Sequence, residues 1–204
     1  MKKLLVLMLA LMLTVSCFAV VSCDKEEAKT PQTTTGEQTT EEQTTEEQTT
    51  EEQTTEKPTL KAPTGYQLYN DGHIAFAYPV EWSKTEGSTV ILQKTGGVNN
   101  ITVVYVAKTD YFEKLTTSTF ISEMKPAYSA MGMTISDEAV TQVENEWGTK
   151  ITKITYTATV QSTVMKQTQL VTTVGERTYT VTFTEGQPAA NGVQTLLETL
   201  SKAE

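Results

Sequence analysis

The chain has 204 residues, with 16 Lys and Arg against 25 Asp and Glu, a net charge of −9, and a single arginine, Arg177. Without clustered Lys and Arg it cannot neutralise a phosphate backbone, which excludes nucleic acid as a partner. Both cysteines fall within the first 23 residues and His73 is the one histidine, so Cys/His nucleophilic sites and multi-histidine metal centres are excluded from the rest of the chain.

Residues 1–22 follow the plan of a signal peptide: Lys2 and Lys3 at the start, an apolar run from Leu4 to about Val15, and small Ser22 before Cys23. Extended to Val21, the apolar stretch reaches the lower limit for a membrane span, so a retained anchor is the alternative reading. Either reading places the remainder of the chain outside the cytoplasm. The run Val20-Val21-Ser22-Cys23, with Asp24 directly after it, resembles a bacterial lipoprotein signal, in which cutting before the cysteine leaves it as the acylated first residue. The resemblance implies lipid attachment at Cys23 and a protein held on the extracytoplasmic side of the cell membrane. That family prefers Leu where Val20 stands. Cys17 is the weaker competitor, because apolar residues Phe18 to Val21 follow it. A structural thiol is the bland reading of Cys23, but its one possible disulfide partner, Cys17, lies inside the leader. One acyl chain binds a bilayer marginally, whereas two or three on one residue make attachment effectively permanent.

The composition then shifts. Residues 23–59 read as a disordered Glu/Gln/Thr linker, since from Asp24 to Thr59 there is no aromatic residue, Val or Ile to offset the entropy of ordering. The unit Glu-Glu-Gln-Thr-Thr recurs at 41–45, 46–50 and 51–55, a period that matches no solenoid. Residues 24–59 carry 11 acidic and 3 basic side chains, against 14 and 11 in residues 60–204, so most of the net charge sits on the linker. Its self-repulsion should stretch it beyond the roughly 33 Å of a neutral coil of that length. A spacer crossing a cell wall is the functional reading, and sugars on the threonines are a second one that composition permits.

Residues 60–204 are long enough for one domain with one core. Tyr66 to Tyr69, Asn70-Asp71-Gly72 and His73 to Tyr78 read as a hairpin ending at Pro79. Thr89 to Gln93 is a short strand, Gly96-Gly97 a loop, and Ile101 to Ala107 a central strand. Between Asp110 and Met131 the large residues recur at helical spacing, with Asp110 and Glu113 as a capping box and Pro126 expected to break or kink the helix. Strands follow at Thr134 to Val143, Lys150 to Val160 and Val164 to Val174, the last turning at Gly175-Glu176 into Arg177 to Thr184. There Tyr179, Val181 and Phe183 alternate with Thr178, Thr180, Thr182 and Thr184, so one face reads as core and the other as solvent-facing threonine. If this last hairpin is a sheet edge, it invites strand addition by a partner. A regular lattice of hydroxyls matching polysaccharide or ice is a further reading, but the high strand propensity of Thr accounts for the pattern. Asn191 caps a closing helix that carries Val193, Leu196, Leu197 and Leu200.

The stretch Tyr69-Asn70-Asp71-Gly72-His73-Ile74-Ala75-Phe76-Ala77-Tyr78-Pro79-Val80-Glu81-Trp82 resembles the opening of PsbP-like domains, where a Phe-containing strand runs into Tyr-Pro and then Trp. The later helix, the Tyr-x-Val-x-Phe strand at Tyr179 to Thr184 and the short last helix are similar to that family over roughly residues 65–202. Pro126 inside the long helix departs from the pattern. The resemblance implies an α+β fold, an α/β/α sandwich with a mainly antiparallel sheet of about six or seven strands flanked by helices. It implies little chemistry, because the same fold serves unrelated roles.

The side chains left for chemistry are few. His73 reads as a strand residue sharing a face with Ala75 and Ala77, and so as a satisfied or exposed histidine rather than a base. No nucleophile elbow, Walker loop or dinucleotide fingerprint occurs. Asp137-Glu138 and Glu144 with Glu146 lack the spacing of an oxygen-ligand loop and read as solvated. No catalytic residue, cofactor or metal is expected. Trp82 and Trp147 are the candidate ligand contacts, since aromatics line sugar and peptide grooves, although each also suits a cap on the core. The sequence therefore favours an anchored, non-catalytic binding or accessory module whose partner is a cell-wall component or another envelope protein. A cell-envelope hydrolase working through carboxylates or hydroxyls is the alternative.

Overall fold

The computed structural model describes residues 59–186 and 192–203. Cys23, the leader, the linker and the expected cap at Asn191 lie outside the described residues. In chain order the elements are β1 (Tyr66–Asn70), β2 (Ile74–Pro79), β3 (Ser83–Thr85), β4 (Val90–Gln93), β5 (Asn100–Ala107), a 3-10 turn (Phe112–Lys114) and α1 (Thr117–Ala130). After these come β6 (Met133–Glu144), β7 (Lys150–Val160), β8 (Thr163–Val174), β9 (Arg177–Glu185), α2 (Gly192–Thr199) and β10 (Ser201–Lys202). No described helix is long and apolar enough to cross a membrane.

The strands form two antiparallel sheets, one ordered β1-β2-β10 and the other β3-β4-β5-β9-β8-β7-β6. The first hairpin therefore leaves the main sheet and forms a small sheet of its own with β10. Between the two sheets lies a core of Ile74, Phe76, Tyr78, Trp82, Leu92, Ile101, Val103, Leu170, Val181 and Phe183, closed by Leu196 and Leu200 at the α2 end. The opposite face of the large sheet packs Ile135, Ile154, Tyr156 and Val171 against Phe120, Met124 and Tyr128 of α1. One outer layer is thus a helix, and the other is a three-stranded sheet with a helix.

Several sequence expectations change in the folded chain. His73 is not a strand residue: it sits exposed in the β1–β2 turn. Asp71 holds that turn, its Oδ1 accepting from the backbone N–H groups of His73 and Ile74 at 2.9 Å, and Gly72 takes the positive φ of +82° that the bend requires. Ala75 and Ala77 are buried along with their larger neighbours, because β2 is the middle strand of the small sheet. Its ladder passes to β10 at Ile74 and Ala75, and at Ala77 the Thr199 hydroxyl accepts the backbone N–H at 2.9 Å.

Pro126 does not break the helix. The interruption falls earlier, at Leu115-Thr116, where Thr116 caps α1 by accepting from the Thr119 N–H. Pro126 and Ser122 are both exposed, so the carbonyl that loses its helical donor faces water. Asp110 and Glu113 form no capping box, and Asp110 pairs with Lys114 at 2.6 Å instead. Of Asp137 and Glu138 in β6, Asp137 is exposed as expected, whereas Glu138 is not solvated. They form a bulge in β6, Asp137 with φ of 56°, and the bulge turns Glu138 onto Lys125 of α1 at 3.0 Å.

The threonine face of β9 is also not open to solvent. Thr178, Thr180, Thr182 and Thr184 are all buried, because β9 is the fourth of seven strands, flanked by β5 and β8. The last hairpin is therefore interior, not an edge. Some of these hydroxyls find partners nearby; Thr178 Oγ1, for example, accepts from the Thr109 N–H at 3.0 Å.

On the same face a polar network is enclosed under α1. The Tyr156 hydroxyl donates to Gln167 Oε1 at 2.6 Å, accepts from Gln169 Nε2 at 3.1 Å and lies 3.1 Å from the Tyr128 hydroxyl. Burial pushes Tyr128 up to about 12, the hydrogen bonds from Tyr156 and Gln169 opposing it, and raises Tyr156 well above the ordinary tyrosine value. Both folded values exceed the unfolded one, so this stability is complete below pH 10 and falls as pH rises beyond it, the Tyr128 share being lost as pH passes through about 12. Tyr128 alone should account for a fall of about 3 kcal/mol across that window. Urea midpoints should be level from pH 8 to 10 and drop steeply beyond it; a flat profile to pH 12 would show that the two phenols do not share this buried environment.

Candidate functional site

A cavity of about 430 Å³ opens where five segments meet: Gly65 and Tyr66 at the start of β1, Pro79 at the end of β2 with Glu81 and Trp82 beyond it, Lys94 and Gly97 to Asn99 between β4 and β5, Phe183 of β9, and Gly192 at the start of α2. The volume lies within the range of small-ligand sites. Its floor is aromatic, because alternation on β9 turns Phe183 toward the small sheet and the Tyr-Pro turn after β2 brings Trp82 onto it. The two rings stack with centroids 6.1 Å apart and planes 17° apart.

The walls are fixed by backbone contacts. Gln67 donates its side-chain amide to the carbonyls of Val80 and Trp82, both at 3.2 Å, which holds the β2–β3 connection. On the opposite side Asn99 Oδ1 accepts the Gly186 N–H at 3.0 Å. Gly186 approaches so closely that a Cβ there would stand 2.7 Å from Val98 Cγ2. Glu81 and Lys94 supply the charge, and Val98, 48% exposed, adds an apolar side chain to the lining. The lining carries one carboxylate and one amine around three aromatic rings.

Of the two tryptophans singled out from sequence, Trp82 lines the cavity and Trp147 does not. The Trp147 indole N–H donates to the Glu198 carbonyl at 3.0 Å. Asn145 next to it donates to the carbonyls of Leu197 and Leu200 at 2.9 and 2.7 Å. These contacts staple the β6–β7 turn to the end of α2. Because Gly192 lines the cavity and Glu198 holds Trp147, the two sites are separated by about 9 Å of helix. His73 is apart from both; its ring lies 6.4 Å from Tyr179. The sequence reading missed Tyr66, Lys94 and Phe183 as cavity residues and took Gly96-Gly97 for a plain loop, although that loop is one wall. No group of three or more His, Cys, Asp or Glu able to hold a metal occurs among the described residues.

The fold and site define an α+β protein, two antiparallel sheets and two helices among the described residues, with an aromatic-floored cavity at one end. No family model matches this chain, and no curated protein matches it. It is similar to a solved structure from Bacteroides thetaiotaomicron VPI-5482 at 11% identity with a TM-score of 0.43, over 64% of this chain and 45% of the other. The chain spans less than half the length of that protein, and a likeness of this degree carries no argument.

Proposed function

We propose that this chain is a lipoprotein, anchored through Cys23 on the extracytoplasmic side of the cell membrane. Its PsbP-like domain acts as a non-catalytic binding or accessory module. The observation that carries the binding role is the cavity beside Trp82, with three aromatic rings and a single carboxylate, Glu81, in its lining. Two facing carboxylates would be needed for acid–base hydrolysis of a glycoside, whereas aromatic walls with a few polar groups suit the retention of a ligand. The leader and the acidic linker support the location, since together they hold a compact domain away from an anionic surface.

Crosslinking in intact cells tests the role. The full chain should recover a wall component or an envelope protein that a chain ending at residue 59 does not recover. Equal recovery by both would leave the domain without a binding role.

A further inference from the structure

We propose that the outer edge of β1 accepts an extended segment of a partner protein as an added strand, and that the cavity beginning at Tyr66 takes one bulky apolar side chain of that segment. The inference deepens the binding role proposed above and rests on it.

Four strands end the two sheets: β3, β6, β1 and β10. Exposed strand edges are ordinarily guarded by shortness, charge, proline or bulges. β3 has three residues, and its Lys84 pairs with Glu86 just beyond it. β6 carries the bulge at Asp137. β10 has two residues. β1, with the sequence Tyr-Gln-Leu-Tyr-Asn, has no charge, proline or bulge, and Leu68 on it is 40% exposed.

The backbone of β1 is oriented for such an addition. The Gly65 carbonyl accepts from Val80 N and the Asp71 N–H donates to the Ile74 carbonyl, so positions 65 and 71 face β2. By strand alternation Leu68 points its N–H and C=O the other way, away from β2. Tyr66 faces the same way, but its N–H donates to the Pro63 carbonyl at 3.0 Å, so an added strand would pair at Leu68 and Asn70 and reach the cavity at its Tyr66 end. Strand addition draws affinity from main-chain hydrogen bonds and selectivity from a side-chain pocket. Here the pocket has an aromatic floor and the exposed Val98 in its lining, with Glu81 and Lys94 complementary to a segment that carries one charge of each sign beside its apolar residue.

The test uses the mature full-length chain with Cys23→Ser and an acetylated, amidated peptide, Lys-Val-Phe-Val-Glu, followed by NMR. Saturable shifts of both the Leu68 amide and the Trp82 indole are expected. Methylating the peptide's backbone amides should abolish them. Leu68→Pro removes an outward N–H without touching the β1–β2 ladder, and should weaken binding about five- to tenfold with an unchanged melting temperature. Trp82 shifts that survive both methylation and Leu68→Pro would overturn strand addition while leaving the cavity a binding site. No shift at either residue would overturn this inference together with the use of the cavity for peptides. A response to neutral chitooligosaccharide in place of the peptide would refute the inference while sustaining the binding role.

Discussion

Cys23→Ser should move the protein from the membrane fraction into the surrounding medium or periplasm, a change from nearly complete retention to nearly complete release. Two or three acyl chains contribute about 0.8 kcal/mol for each buried CH₂, and nothing else in residues 23–59 offers an apolar surface to a bilayer. Serine keeps the size and polarity of the site but has no sulfur to carry a thioether-linked diacylglyceryl group, so the cut product lacks its anchor. Cys17→Ser, by contrast, should leave the protein in the membrane fraction. Retention of the Cys23→Ser chain as full as that of the parent would instead support an uncut leader acting as a span.

Phe183→Ala should be the most damaging single change in the domain. The side chain is 1% exposed, stands between the two sheets and stacks on Trp82. Truncating a buried phenylalanine costs about 3–5 kcal/mol, which for a domain of this size is a large share of its total stability and lowers the melting temperature by roughly 10 °C or more. The Trp82 indole should become more solvent-exposed, giving a red-shifted emission before unfolding begins. Tyr105→Ala, on the same face of the neighbouring strand but 54% exposed, should change stability little. Equal effects of the two substitutions would show that the inter-sheet core does not depend on Phe183.

Long alternating strands were the legible part of this fold. Lys150 to Val160 and the Gly175-Glu176 turn emerged where expected, because periodicity over many residues and a two-residue loop are local signals. β3 was missed because three exposed polar residues carry no period. The burial of Thr182 and Thr184 could not be read locally: it depends on β5 pairing with β9 across some eighty residues, and a threonine stripe looks the same whether a strand is central or at an edge. Ala75 and Ala77 failed for the same reason, since their burial follows from β10 and Thr199 at the far end of the chain.

The cavity was legible only through Trp82. Its lining runs from Gly65 to Gly192, and no window of sequence contains more than a fragment of it. Trp147 shows the converse: a tryptophan in a polar turn reads as a ligand contact until its indole N–H is seen committed to the Glu198 carbonyl. The resemblance of residues 69–82 to a family opening drew notice to Trp82, but the pairing of that ring with Phe183 is a product of the tertiary fold.

The most direct measurement is the mass of the N-terminal peptide of the protein extracted from membranes with detergent. A peptide beginning at Cys23 and carrying the added mass of a diacylglyceryl or triacyl modification is the predicted result. A peptide beginning at Met1, or at any residue after Cys23, would contradict the lipid-anchored module proposed for this chain.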